Sequence, residues 1–127
     1  MSPDIWLAKA ERNLKTALLN LADGDPDSAC NRAYYCMFHA ARAALLLVGE
    51  AERAMGKTHN GMVSAVGEYL VKPGHIATEH GRNIARESNR RLLSDYEGQA
   101  LTVAEAKAAI ENAQGFLAAV EIIERSQ

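Results

Sequence analysis

Arg32 and His39 lie seven residues apart within residues 28–49, where the only other charged side chain is Arg42. On a helix seven residues are two turns, so the two side chains fall within about 20° of each other. Tyr35 lies between them on the same face. A guanidinium offers a planar fork of donors suited to a phosphate. An imidazole exchanges protons near neutral pH. No acid sits within one turn of either residue on this helix. An arginine on an otherwise apolar face loses hydration unless an anion pairs with it. The pair therefore suits a phosphate ester, against the plainer alternative that both residues serve packing and hydrogen bonding.

The helix that carries them is unusual all round. Cys30, Ala33, Met37, Ala41, Ala44, Leu45 and Val48 form one apolar stripe. The side around Arg32 holds Ser28, Ala29, Tyr35, Cys36, His39, Ala43, Leu46 and Leu47, which are small, apolar or aromatic. A surface helix normally shows a charged outer face. This one is expected to be covered on both sides, by the bundle on one and by a second protomer on the other.

Five helical segments are expected. The first spans about 3–22, with Ser2 as cap and Pro3 in the first turn. The second starts at Asp25-Pro26 and stops at Gly49. Residues 49–58 read as a loop. A third, shorter helix opens near Thr58 and closes before Lys72-Pro73-Gly74. The fourth covers roughly 75–93 and is polar. The fifth opens on the capping box Thr102-x-x-Glu105 and runs to about Arg125. Short connections between long helices predict an all-α, antiparallel up-and-down bundle of four main helices plus a short one, forming one domain over residues 1–127.

Composition agrees with this architecture. The chain has 127 residues, 48% hydrophobic and 24% charged, with a formal net charge of −2. Those values exclude disordered and collagen-like classes, and the molecule as a whole is not a basic nucleic-acid binder. Charge is nevertheless uneven. Over residues 72–91, Lys72, Arg82, Arg86, Arg90 and Arg91 stand against only Glu79 and Glu87, while the last segment is acidic. Arg82, Arg86 and Arg90 repeat every four residues, as a phosphate-contacting stripe would. The alternative is a solvated face with local ion pairs. Cys30 and Cys36 are the only cysteines and point to different sides of one helix, so they are expected to stay reduced, as in the cytoplasm. No signal peptide, membrane span, cofactor loop or zinc spacing is expected. His59, at a helix start, reads as structural.

The residues also carry a resemblance. The run Ser28-Ala29-Cys30-Asn31-Arg32-Ala33-Tyr34-Tyr35-Cys36-Met37-Phe38-His39-Ala40 resembles the signature helix of small HEPN domains, with their R-A-Y-Y-x-x-F-H-A core. Thr58-His59-Asn60-Gly61 is similar to the segment that opens their next helix. Arg91-Leu92-Leu93-Ser94-Asp95-Tyr96 is similar to the segment before their last helix, and Glu105-Ala106 to Phe116-Leu117 resembles that closing helix. The resemblance implies a homodimer through the signature helix, with the Arg/His pairs meeting across the two-fold axis. It implies a metal-independent endoribonuclease in which a substrate 2′-hydroxyl attacks the adjacent phosphate. His39 would be general base or acid, and Arg32 would hold the scissile phosphate. Ser28, Asn31, Tyr35, Arg82, Arg86 and Arg90 would bind the RNA. It also implies a toxin paired with a minimal nucleotidyltransferase antitoxin. Active members usually carry Asn, Asp or His directly after the motif Arg, where Ala33 stands here. The alternative expectation is thus a non-catalytic HEPN domain that binds nucleotide or a nucleotidyltransferase.

Overall fold

Local signals set the helix ends in the computed structural model, which describes residues 2–127. The Ser2 hydroxyl accepts the Asp4 N–H at 3.2 Å and opens α1 (Pro3–Ala22). A turn over residues 23–25 leads to α2 (Pro26–Leu47), where the Asp25 carboxylate accepts the Ser28 N–H at 3.2 Å. Val48 and the left-handed Gly49 (φ 85°) end it. One helical turn, α3 (Ala51–Ala54), follows. Thr58 then caps α4 (His59–Ala65), which runs directly into a π-helical turn, Val66–Val71. The last two helices are α5 (Thr78–Glu97) and α6 (Val103–Arg125). In the capping box of α6, Thr102 N–H donates to Glu105 at 3.0 Å and Glu105 N–H donates to the Thr102 hydroxyl at 3.1 Å.

The all-α, antiparallel bundle expected from the sequence is the fold, with no strand among the described residues. Three boundaries differ. Residues 49–58 hold α3 rather than only a loop. α5 begins at Thr78, not near 75, because the His75 and Ile76 amides both donate to the Leu70 carbonyl (2.8 and 3.2 Å) and prolong the preceding turn. His75 is therefore exposed and outside the helix that carries the arginines. At its other end α5 continues to Glu97, since the first left-handed residue able to stop it is Gly98 (φ 65°). Ser94, Asp95 and Tyr96 are thus helical.

α2 is the central helix. It packs mainly against α1 and α6, with α5 on a further side. Ala29, Ala33, Ala40, Ala41, Ala43 and Ala44 are all fully buried, and their small side chains let the neighbouring helices approach closely. Tyr34, Met37, Leu45 and Phe116 fill the remaining space, each contributing roughly 1.5–3 kcal/mol by burial. This corrects one inference from the sequence. Ala29, Cys36 and Ala43, on the side assigned to a second protomer, are buried by helices of the same chain. Ser28, Tyr35, His39, Leu46 and Leu47 on that side are half-buried, so helices of the same chain supply much of the second cover and two-sided burial of α2 does not by itself require a dimer.

Candidate functional site

α1 and α2 are antiparallel neighbours joined by a tight turn, so the middle of α2 faces the middle of α1. There they enclose a surface cleft of about 490 Å³, lined by Lys9, Arg12, Asn13 and Thr16 from α1 and by Arg32, Tyr35 and His39 from α2. The structure thus brings Arg32, His39 and Tyr35 to one site, as their spacing predicts. It adds a wall the sequence reading missed. Lys9, Asn13 and Thr16 lie four and then three residues apart, one helical face, with Arg12 beside them and Trp6 one turn before. That spacing is readable in the sequence, but nothing local to α1 says that this face meets Arg32.

Arg32 is exposed and donates from Nη1 to Asn13 Oδ1 at 3.2 Å. The Asn13 amide is itself oriented, because its Nδ2 donates to the Lys9 carbonyl at 2.8 Å. Its oxygen is thereby left to aim the guanidinium. Arg42 is placed differently. Its Nε and Nη2 donate to the Ala54 and Gly56 carbonyls (2.7 and 3.0 Å), and its guanidinium stacks over Trp6 (4.5 Å) and Phe38 (5.0 Å). Of the two arginines on α2, Arg42 anchors the α3 loop, and Arg32 keeps most of its donors for a ligand.

His39 stacks on Trp6 at 5.6 Å between centroids, with the planes 21° apart. Its Nδ1 is buried without a hydrogen-bond partner. Burial, then the positive charges of Arg42 and Lys9, pushes its pKa down to about 4. At pH 7 the imidazole is neutral and able to accept a proton. With Nδ1 enclosed, exchange with a ligand falls to Nε2.

Ser28 and Asn31 line a second cleft of about 260 Å³ on the other side of Arg32, together with Asp27, Ser94 and Asp95. That lining sets two carboxylates, Asp27 and Asp95, against the single cation Arg32, and so suits an anion less well than the first cleft. Arg82, Arg86 and Arg90 are not brought to either cleft. They line a third, of about 500 Å³, with Ala85, Asn89, Leu93 and Glu105. Within it Arg90 is committed, donating to the Glu105 carbonyl at 2.7 Å and lying 3.5 Å from the buried Glu87 carboxylate. Glu87 also accepts from Asn112 at 2.9 Å, and burial raises its pKa.

His59 sits in a ring cluster with Tyr34, Tyr35 and Phe38 (5.4, 5.9 and 5.3 Å). Its Nδ1 is 2.7 Å from the Tyr34 hydroxyl. Burial raises the Tyr34 pKa and lowers that of His59, so a neutral phenol and a neutral imidazole share this hydrogen bond. Arg91 covers the Tyr34 ring at 5.3 Å and pairs with Asp95 at 3.3 Å. These contacts pin α4 and α5 onto α2. Among the described residues no three His, Cys, Asp or Glu side chains group as metal ligands, and no helix is long and apolar enough to cross a membrane.

Comparison with known proteins matches residues 4–123 to the family model of the HEPN domain. A Methanocaldococcus jannaschii protein named "Putative toxin MJ0605" is 34% identical over 108 residues, 85% of this chain and 78% of the relative. A UPF0332 protein of Thermotoga maritima is 32% identical over 120 residues, 93% of this chain and 87% of the relative. A UPF0332 protein of Gloeobacter violaceus is 33% identical over 90 residues, covering 71% and 68%.

Proposed function

The chain belongs to the HEPN family, and on that premise we propose that residues 1–127 act as a single-domain, metal-independent endoribonuclease of toxin type, working as a cytoplasmic homodimer. The observation that carries the reading is the α1/α2 cleft. It unites a neutral imidazole, an arginine with free donors and two further cations, with no carboxylate in its lining. The relative named as a toxin supports the biological setting. A minimal nucleotidyltransferase antitoxin is the partner proposed for it.

In this mechanism His39 Nε2 takes the proton from the substrate 2′-hydroxyl. The 2′-oxygen bonds to the adjacent phosphorus, and the bond from phosphorus to the 5′-oxygen breaks. The departing oxygen takes up a proton, so the products are a 2′,3′-cyclic phosphate and a 5′-hydroxyl. Arg32 donates to the phosphate oxygens as their charge builds. A bound phosphate beside His39 raises its pKa from about 4, since a nearby anion favours the imidazolium. The same ring is then able to return its proton to the leaving oxygen or, in a dimer, to share that task with its counterpart.

A second reading has one observation in its favour. Ala33, where active HEPN members usually carry a polar residue, is fully buried in the core stripe of α2. A domain that binds nucleotide or a nucleotidyltransferase without turnover needs no such residue. The deciding experiment is cleavage of RNA by purified protein in a chelator. Loss of at least 100-fold in both Arg32→Ala and His39→Ala is expected. Equal cleavage by wild type and His39→Ala overturns the proposal, and binding without cleavage by wild type selects the second reading.

A further inference from the structure

We infer that the α1 wall of the cleft, Lys9 with Arg12, is a second phosphate subsite, so that the site takes a polynucleotide strand rather than a lone phosphate or mononucleotide. This rests on reading the cleft as an RNA site and names residues that the Arg/His motif does not contain.

Three observations lead there. The first is charge. Lys9, Arg12 and Arg32 converge on one cleft whose other lining groups are Asn13, Thr16, Tyr35 and His39. None of the three cations forms an ion pair among the described residues. Lys9 Nζ lies over the Trp6 ring at 5.6 Å, and Arg32 bonds to Asn13, but converging cations without a counter-ion repel one another and favour an anion between them. The second is size. About 490 Å³ is the volume of a small-molecule pocket, far more than one phosphate needs. The third is the contrast with the adjacent cleft. Arg32 borders both, but the other side offers no second cation and carries Asp27, which accepts the Leu101 N–H at 2.8 Å, and Asp95, which is paired with Arg91. A strand held at Arg32 is therefore steered along α1 and away from α5. Tyr35 offers a ring edge or face to a base along that path, and Asn13 keeps Arg32 turned toward α1.

The test uses 5′-labelled 2′-O-methyl oligonucleotides, which lack the attacking hydroxyl, with one, two or three internucleotide phosphates. Fluorescence anisotropy is followed across a salt series. Wild type is expected to bind the two-phosphate probe at least tenfold more tightly than the one-phosphate probe. The salt slope should steepen by about 0.7 per added phosphate contact. In the Lys9→Gln/Arg12→Gln double variant that increment disappears, while binding of the one-phosphate probe persists and reports an intact Arg32 side. Arg86→Gln, in the separate α5 cleft, retains the increment. An increment that survives in the double variant, or that Arg86→Gln abolishes instead, overturns the inference. So does failure of wild type to bind any probe, or displacement by a glutamate peptide as effective as by an oligonucleotide of equal charge. Cleavage is scored separately. A protein that shows the increment but never cuts RNA loses the catalytic proposal and keeps this subsite. One that cuts RNA without the increment does the reverse.

Discussion

His39 shows how one side chain's environment decides its role. Stacked on Trp6 with Nδ1 enclosed, it is held neutral across the physiological range. The folded-state pKa of about 4 lies below the ordinary value of 6.5. The unfolded chain therefore binds a proton first as pH falls, and the ring's contribution to stability is full above 6.5 and lost by about 4. Between those values the thermal midpoint of wild type should drop more steeply than that of His39→Gln. Parallel curves from the two proteins would show that the ring is not desolvated. Arg42 makes the complementary case. Its pKa is lowered by burial, and two backbone carbonyls and two aromatic faces compensate for lost water. Arg42→Lys keeps the charge but neither the fork nor the stacking. It should cost about 1–3 kcal/mol in denaturant unfolding and expose the α3 loop to protease first. A cost below a few tenths of a kcal/mol, with no change in proteolysis, contradicts that role.

At the scale of elements, much of the framework was legible because its signals are local. Ser2-Pro3, Asp25-Pro26 and Thr102-x-x-Glu105 each name a helix start, and each cap is made. The Arg32/His39 face was legible for the same reason, since seven-residue spacing on one helix needs no partner to be read. What escaped was tertiary. Both faces of α2 are apolar, but the sequence does not say whether its own chain or another covers them, and α1, α5 and α6 cover most of that surface. Lys9, Arg12 and Asn13 belong to the site only because the turn at residues 23–25 folds α1 back along α2. Arg82, Arg86 and Arg90 share one face of α5, as their spacing implies, and α5 presents that face beside Glu105 of α6 rather than beside Arg32. The π-helical turn at Val66–Val71 follows no residue pattern for which we have a physical account.

Across the whole molecule, the net charge of −2 is a sum over opposed surfaces. One cleft gathers Lys9, Arg12 and Arg32. Elsewhere Asp4, Glu11, Glu121 and Glu124 lie close enough that the Glu124 pKa is raised, first by its hydrogen bond with Asp4. A near-neutral total sets solubility and leaves room for a locally cationic RNA site. The proposed dimer would bring two such clefts together, and sedimentation at micromolar concentration should return twice the 13.8 kDa chain mass. A single-chain mass with full cleavage activity would place the whole reaction within one protomer. The ends of the cut RNA report the proposed chemistry most directly. Purified protein in excess chelator should leave a 2′,3′-cyclic phosphate and a 5′-hydroxyl, and a single 2′-O-methyl group at the cut position should abolish that cut. Fragments bearing 5′-phosphates, or cutting that ignores the 2′-O-methyl group, would contradict the roles assigned to His39 and Arg32.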